Sequence, residues 1–292
     1  MNQEKLGIQK SLMALPSIVI YLTFMALPIG LTVYYGFTNW NGISPTWDIV
    51  GFKNFTRAFT DSKFIYSVRF TLFFSVIITL LSNLFGLIFA VALNKRRRGV
   101  NLFRSLIFIP LLISPIAAGF VWKALFSYDG IINQFLVKIL PIEAVMFLGK
   151  PNLAKMILIL FTLWQNVGFC MVIYIAGLQT ISPEFYDAAA IDGASFLQQF
   201  KYIIFPYLAP STTSAVLVMF TSAMREYPRP LVLTAGGPVG QTETLAFRIF
   251  KVGFDANQLG YGSALATWVL LITSLLSVAI SYLLRKREAF LK

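Results

Sequence analysis

A chain of 292 residues that is 57% apolar, 12% charged and of mean hydropathy +0.74 is too poor in charge for a soluble protein, where about 25% of residues are charged. Its net charge of +12 does not point to nucleic acid, because Lys and Arg stand at the ends of apolar runs, where membrane topology places them. There is no histidine and one cysteine, Cys170, which excludes imidazole proton relays and an intrachain disulfide and removes most zinc sites.

Six apolar runs are long enough to cross hydrocarbon roughly 30 Å thick, which takes about 20 helical residues. The first covers 12–35 and follows Lys5 and Lys10. It is longer than a signal-peptide core and no A-x-A site follows it, so it reads as a retained span. The second covers 67–93 and ends on Lys95-Arg96-Arg97-Arg98; its Asn83 reads as a helix–helix contact. The third, 103–123, is interrupted by Pro110 and Pro115. Proline is tolerated in such helices where neighbours satisfy the freed backbone groups.

The fourth span, 153–178, carries Trp164-Gln165-Asn166, then Phe169 and Tyr174. Polar groups in mid-span are costly and face a partner helix or a cavity. An aromatic face beside amides suits a sugar, since amides both donate to and accept from hydroxyls. The fifth span, 207–224, runs out through Ser222 into Arg225-Glu226-Tyr227. Arg225 and Glu226 form either an interfacial charge pair or the outer lining of a cavity. In the cavity, Arg225 would suit a carboxylate, which makes an acidic sugar the minority substrate. The sixth span, 263–284, ends on Arg285-Lys286-Arg287.

Orientation follows from the basic residues. With the N-terminus inside, Lys5, Lys10, Lys95 to Arg98, Arg104, Lys201, Arg285 to Arg287 and Lys292 are inner, half of the 24 Lys and Arg. They cluster at membrane edges in short segments, so both termini are expected in the cytoplasm. The outer loops are then 36–66, 124–152 and 225–262. Trp40, Trp47, Phe52 and Phe55 in the first of them suit an interfacial belt or contact with an external protein.

Between spans four and five lies a polar stretch, 182–206. Ser182 can cap a helix, Pro183 suits its first position and Glu184 favours its dipole. Gly193 can end that helix in the left-handed conformation. Ser195 with Gln198 forms a capping box for a second helix, and Pro206 marks the approach to span five. The local expectation is helix, glycine turn, helix at the cytoplasmic face. Ala188, Ala189 and Ala190 allow close approach of another surface, and Glu184, Asp187 and Asp192 keep it wet. Gly236 to Gly240 is glycine-rich but no Gly-Lys-Ser/Thr follows, so it is not a phosphate loop; no Walker motif occurs and ATP hydrolysis is not expected on this chain.

The stretch resembles the EAA loop of permease subunits in binding-protein-dependent ABC importers, where E-A-A, three residues, Gly and nine residues lead to I-x-L-P. Here Asp187-Ala188-Ala189 precedes Gly193 and Ile203-Ile204-Phe205-Pro206 at that spacing, with Asp187 for Glu and Phe205 for Leu. The run from Tyr186 to Ser195, the stretch from Val50 to Phe55 and that from Leu233 to Pro238 are similar to the carbohydrate-uptake branch of maltose and multiple-sugar type. The resemblance covers about 12–284. It implies an all-α integral membrane fold of six spans, the type I ABC importer permease fold, in one domain over 1–292 with a coupling loop. It implies a bacterial plasma membrane location and import of a carbohydrate by alternating access. The implied partners are a second homologous permease, two ATPase subunits that carry ATP and Mg, and an extracytoplasmic sugar-binding protein, besides membrane lipid and without nucleic acid. No cofactor or metal is implied on this chain. Glu184, Asp187, Ala188, Ala189, Asp192, Gly193, Ile203 and Pro206 would then couple to the ATPases. Trp164, Gln165, Asn166, Phe169, Ser222, Arg225, Glu226 and Tyr227 would meet the sugar. The alternatives are an ion-coupled secondary sugar carrier, disfavoured because span interiors lack buried acids, and a membrane-embedded enzyme, for which no catalytic constellation exists.

Overall fold

The structure is a computed structural model and describes residues 15–94 and 98–288. Lys5, Lys10, Lys95, Arg96, Arg97, Lys292 and the start of the first predicted span lie outside the described residues, as does the side chain of Arg287. Among the described residues the regular structure is helical, with one isolated antiparallel bridge between Thr38 and Ile49. The chain divides into two compact groupings, Met1–Ser62 with Ile249–Leu271 and Lys63–Arg248 with Ile272–Lys292.

In the first grouping, α1 spans Leu15–Gly36 and contains one widened turn at Leu22–Ala26. Its apolar side chains face outward, as a helix surrounded by lipid requires: Phe24 is 74% exposed. The short α2, Lys53–Arg57, closes its end. The buried Asn54 amide donates to the carbonyls of Gly36 and Thr38, at 3.0 and 2.7 Å, two acceptors that the end of α1 leaves open. Tyr35, Trp40 and Trp47 gather with ring centroids 4.4 to 5.7 Å apart. Trp40 and Trp47, two of the four aromatic residues expected at the interface, thus pack on each other and on Tyr35.

In the second grouping, α3, Ser62–Leu93, begins five residues before the predicted start and turns a stripe of small groups inward. Ser67, Thr71, Ser75 and Thr79 recur every fourth residue, followed by Asn83, and so share one face. Tyr174 donates its hydroxyl to Asn83 Oδ1 at 2.8 Å, the helix–helix contact expected of that residue. The third span is not one helix. It divides into α4, Val100–Leu112, and α5, Pro115–Leu125, bent by 97°. Pro115 starts α5 and holds Ser114 extended at ψ 129°, because the residue before proline is driven out of the helical region. Pro110 stays inside α4. The single span over 103–123 is thus replaced by two halves.

The fourth span is α7, Pro151–Leu178, after the short α6, Ile131–Ile139, in the loop before it. It forms the centre of the grouping. Phe161, Leu158, Met171 and Tyr174 are almost fully buried. Gly168 lets the α4 backbone at Ile107 and Phe108 come into direct contact. The chain continues through α8, Pro183–Ile191, and α9, Phe196–Tyr207, whose turn at Phe200–Ile204 is widened, into α10, Ala209–Met224. The bend from α9 to α10 is 66°. The second helix therefore runs through Pro206 and breaks at Leu208, two residues beyond the expected approach to span five. After α11, Pro228–Thr234, and α12, Leu245–Phe250, the long α13, Leu259–Glu288, closes the chain. Among the described residues four helices are long and apolar enough to cross a membrane, or up to six if each bent pair is one span.

A side chain at position 168 would meet backbone atoms, which cannot rotate aside. Gly168→Leu is expected to cost about 1–3 kcal/mol by overpacking. A lowered melting temperature in detergent, against an unchanged value for Gly30→Leu, where an added Cβ meets nothing within 4 Å, checks this.

Candidate functional site

The 182–206 element folds as its residues dictate. Ser182 Oγ accepts from the Glu184 N–H at 3.4 Å and Pro183 occupies the first helical position. Gly193 adopts φ +69°. Its N–H donates to the Ala190 carbonyl at 3.2 Å, and the Ala194 N–H reaches back to Ala189 O at 2.9 Å, the paired bonds of a Schellman stop. Ser195 and Gln198 then cap each other reciprocally: Ser195 N–H donates to Gln198 Oε1 at 2.7 Å and Gln198 N–H to Ser195 Oγ at 3.4 Å.

One side of the element is anchored. Ile204 and Leu208 belong to a buried cluster with Ala90, Met171 and Tyr174, and Tyr186, Phe200 and Ile203 pack against it. Ala189 is buried, and burial raises the Tyr186 phenol above its ordinary range. The other side is open. Glu184, Asp187, Ala188, Asp192 and Gly193 are exposed, and Pro206 is half-buried. Ile191 is 87% exposed and Leu197 75%. An added Cβ at Gly193 would meet nothing within 4 Å. Of the eight expected coupling residues, Ala189 and Ile203 face inward and five are exposed around one glycine turn.

The residues expected to meet a sugar are divided. Trp164 is 39% exposed and lies 5.7 Å from Trp122. The two line an open groove of about 510 Å³ with Phe85, Phe126 and other apolar side chains, and no amide enters its lining. Gln165 is 1% exposed and its amide is fully used inside the chain. It donates to the carbonyls of Pro110 and Ile113, at 3.2 and 3.0 Å, and accepts from Arg229 Nε at 2.8 Å. Asn166 donates to its own helix at Thr162 O, 2.8 Å, and Phe169 packs on the buried cluster. Ser222 and Arg225 are exposed, and Arg225 Nε donates to Thr221 O at 3.2 Å. Tyr227 lies against Phe247, ring centroids 6.0 Å apart.

Arg225 and Glu226 do not pair. Glu226 is buried and forms its ion pair with Arg229. Glu226 lies in the connector before α11 and its carboxylate meets Arg229 in the first turn of that helix, accepting the Arg229 backbone N–H at 3.2 Å as well. Arg229, buried and 5.8 Å from the Phe161 ring centre, was not among the expected site residues. Its signal is Pro228-Arg229-Pro230, a charge fixed between two prolines beside a predicted span end.

Comparison with known proteins agrees with this architecture. A model of the family described as "Binding-protein-dependent transport system inner membrane component" matches residues 82–288. The multiple sugar-binding transport system permease protein MsmF of Streptococcus mutans is 31% identical over 93% of this chain and 93% of its own. The trehalose/maltose transport system permease protein MalF of Thermococcus litoralis is 31% identical, covering 97% and 94%. A solved bacterial ABC transporter involved in import of the acidic polysaccharide alginate has a chain that superposes with a TM-score of 0.83 at 21% identity, covering 97% of this chain and 96% of that one. The fold is that of a type I ABC importer permease.

Removing the reciprocal cap tests whether the second helix depends on it. Ser195→Ala is expected to cost about 1 kcal/mol and to speed amide exchange over 196–199, while 183–191 exchanges as before.

Proposed function

The chain belongs to the binding-protein-dependent transport system inner membrane component family, and we propose that it is the membrane-spanning subunit of an ATP-driven carbohydrate importer. The observation that carries this reading is the 182–206 element. It is capped and anchored by its own residues, yet it presents Ile191 and Leu197 to the outside around a glycine turn. Exposed apolar side chains rimmed by acids are what a docking partner buries. In this reading the partner is an ATPase subunit, one of two, which holds ATP and Mg; this chain holds neither and does not hydrolyse ATP. A second permease and an external sugar-binding protein complete the assembly, with both termini in the cytoplasm.

Closure of the ATPases displaces the exposed turn at Gly193. Tyr186, Phe200 and Ile204 carry that displacement into the buried cluster, and the spans rock toward the outer side. Such coupling needs two states that both ends of the protein bias. Carbohydrate is supported as cargo by relatives named for sugar uptake. Ser222, Arg225 and Tyr227 at the end of α10, with Trp164, Asn166 and Phe169 on α7, are the cargo-facing residues of this reading. The exposed Arg225 is the group that would admit an acidic sugar.

Gly193 has open space around it, so a large side chain there strains this chain only through its backbone at φ +69° and otherwise meets the partner. Gly193→Trp is expected to leave sugar binding by the external protein intact and to abolish uptake by the reconstituted complex. Gly193→Asn, which tolerates a positive φ, keeps most of it. Unchanged uptake in the tryptophan variant would sink the docking reading.

A further inference from the structure

We propose that Gln165, Arg229 and Glu226 form a positioning network that sets the bend of the third span, a role distinct from contact with cargo. The requirement arises in the backbone. In a continuous helix the carbonyl of residue 110 would accept from the N–H of 114 and that of 113 from 117. The 97° bend between α4 and α5 takes away both of those donors, leaving Pro110 O with only the Ile113 N–H at 3.3 Å and Ile113 O with no backbone donor among the described residues. In hydrocarbon no water replaces them.

A side-chain amide has two donors and one acceptor oxygen. Gln165 spends both donor contacts on the opened carbonyls of Pro110 and Ile113. That leaves Oε1 needing a donor, and Arg229 Nε supplies it at 2.8 Å. Turning the amide over would set oxygen against two carbonyls and N–H against a cation, so the network fixes its orientation. Arg229 in turn is a buried cation, which is tolerated only when paired. Glu226 pairs with it through Oε2, while its Oε1 accepts the Arg229 backbone N–H at 3.2 Å. The three residues are 1%, 9% and 5% exposed for Gln165, Arg229 and Glu226.

The same connector also holds the far half of the bend. Arg229 lies in the first turn of α11, and Val232 of that helix presses on Gly119 of α5, where an added Cβ would collide with it. Thus α11 grips α5 by packing and α4 through Gln165. The end of α10, which the proposed function assigns to cargo, cannot move relative to the bend without stretching this chain of bonds. The consequence for import rests on the transport reading; the bend itself does not.

The test uses the full chain assembled with its partner subunits, in a Cys170→Ala background, spin-labelled at Leu106→Cys in α4 and Phe120→Cys in α5, both exposed positions. The parent should give one distance population. Gln165→Met, which removes donors and acceptor, should shift or broaden it. Gln165→Glu, which still accepts from Arg229 but cannot donate to the carbonyls, should do the same. The swap Glu226→Arg with Arg229→Glu restores a charge pair but leaves Gln165 Oε1 without its donor, so it should not rescue the distance. Maximum uptake in Gln165→Glu should fall about tenfold with half-saturation by loaded binding protein unchanged. Unchanged distances in both Gln165 variants, or rescue by the swap, would overturn the network. A parent complex that moves no sugar would count against the transport reading alone, because the distance needs no cargo.

Discussion

The constraint on which the rest depends is that a backbone carbonyl exposed to hydrocarbon must find a donor, at a cost of several kcal/mol if it does not. This chain ends or breaks helices repeatedly at membrane depth or at its edge, and each time a polar side chain from elsewhere closes the gap. Asn54 closes the end of α1. Arg104 closes the end of α3 by donating to Leu93 O at 3.1 and 2.6 Å, where a cation also complements the helix dipole. Gln165 closes the break between α4 and α5. Polar residues that look available for a ligand when counted along a span are thus first claimed by the fold.

The polar element between α7 and α10 obeys the opposite economy. The hydrogen bonds that shape it are short-range, from the Glu184 N–H to Ser182, from the Gly193 turn to Ala189 and Ala190, and between Ser195 and Gln198. It therefore holds its shape without borrowing from the bundle, and its link to the bundle is apolar packing through Tyr186, Phe200 and Ile204. A lever must be stiff within itself and fastened at one place. Local caps provide the stiffness, and the cluster around Tyr174 provides the fastening.

This contrast explains what was legible in the sequence. Ser182, Pro183, Gly193, Ser195 and Gln198 act on residues at most four or five positions away, so spacing alone identified the element. The apolar windows likewise marked the four long helices and the two bent pairs, with ends displaced by a few residues, as for α13, which continues to Glu288. The bend at Ser114 was only half legible. Pro115 marks a break, but the partner that makes a 97° bend tolerable is 52 to 55 residues away at Gln165, itself oriented by Arg229 another 64 residues on. Arg229 was missed because it lies past the end of the fifth apolar window. Trp164 and Gln165, neighbours in sequence, face an apolar groove and a polar network respectively.

The same divergence separates fold from recognition at the end of α10. Arg225 is exposed and Glu226 is buried, neighbours in the non-helical connector between α10 and α11. Under the proposed function the two can therefore carry different duties one residue apart. Glu226 holds Arg229 and, through Gln165, the bend; Arg225 and Ser222 remain open to whatever enters from outside. A change of cargo would act on the open positions and leave the buried network, and with it the shape of the third span, as it is. Selectivity and the mechanics of opening can then vary independently although they meet in one short connector.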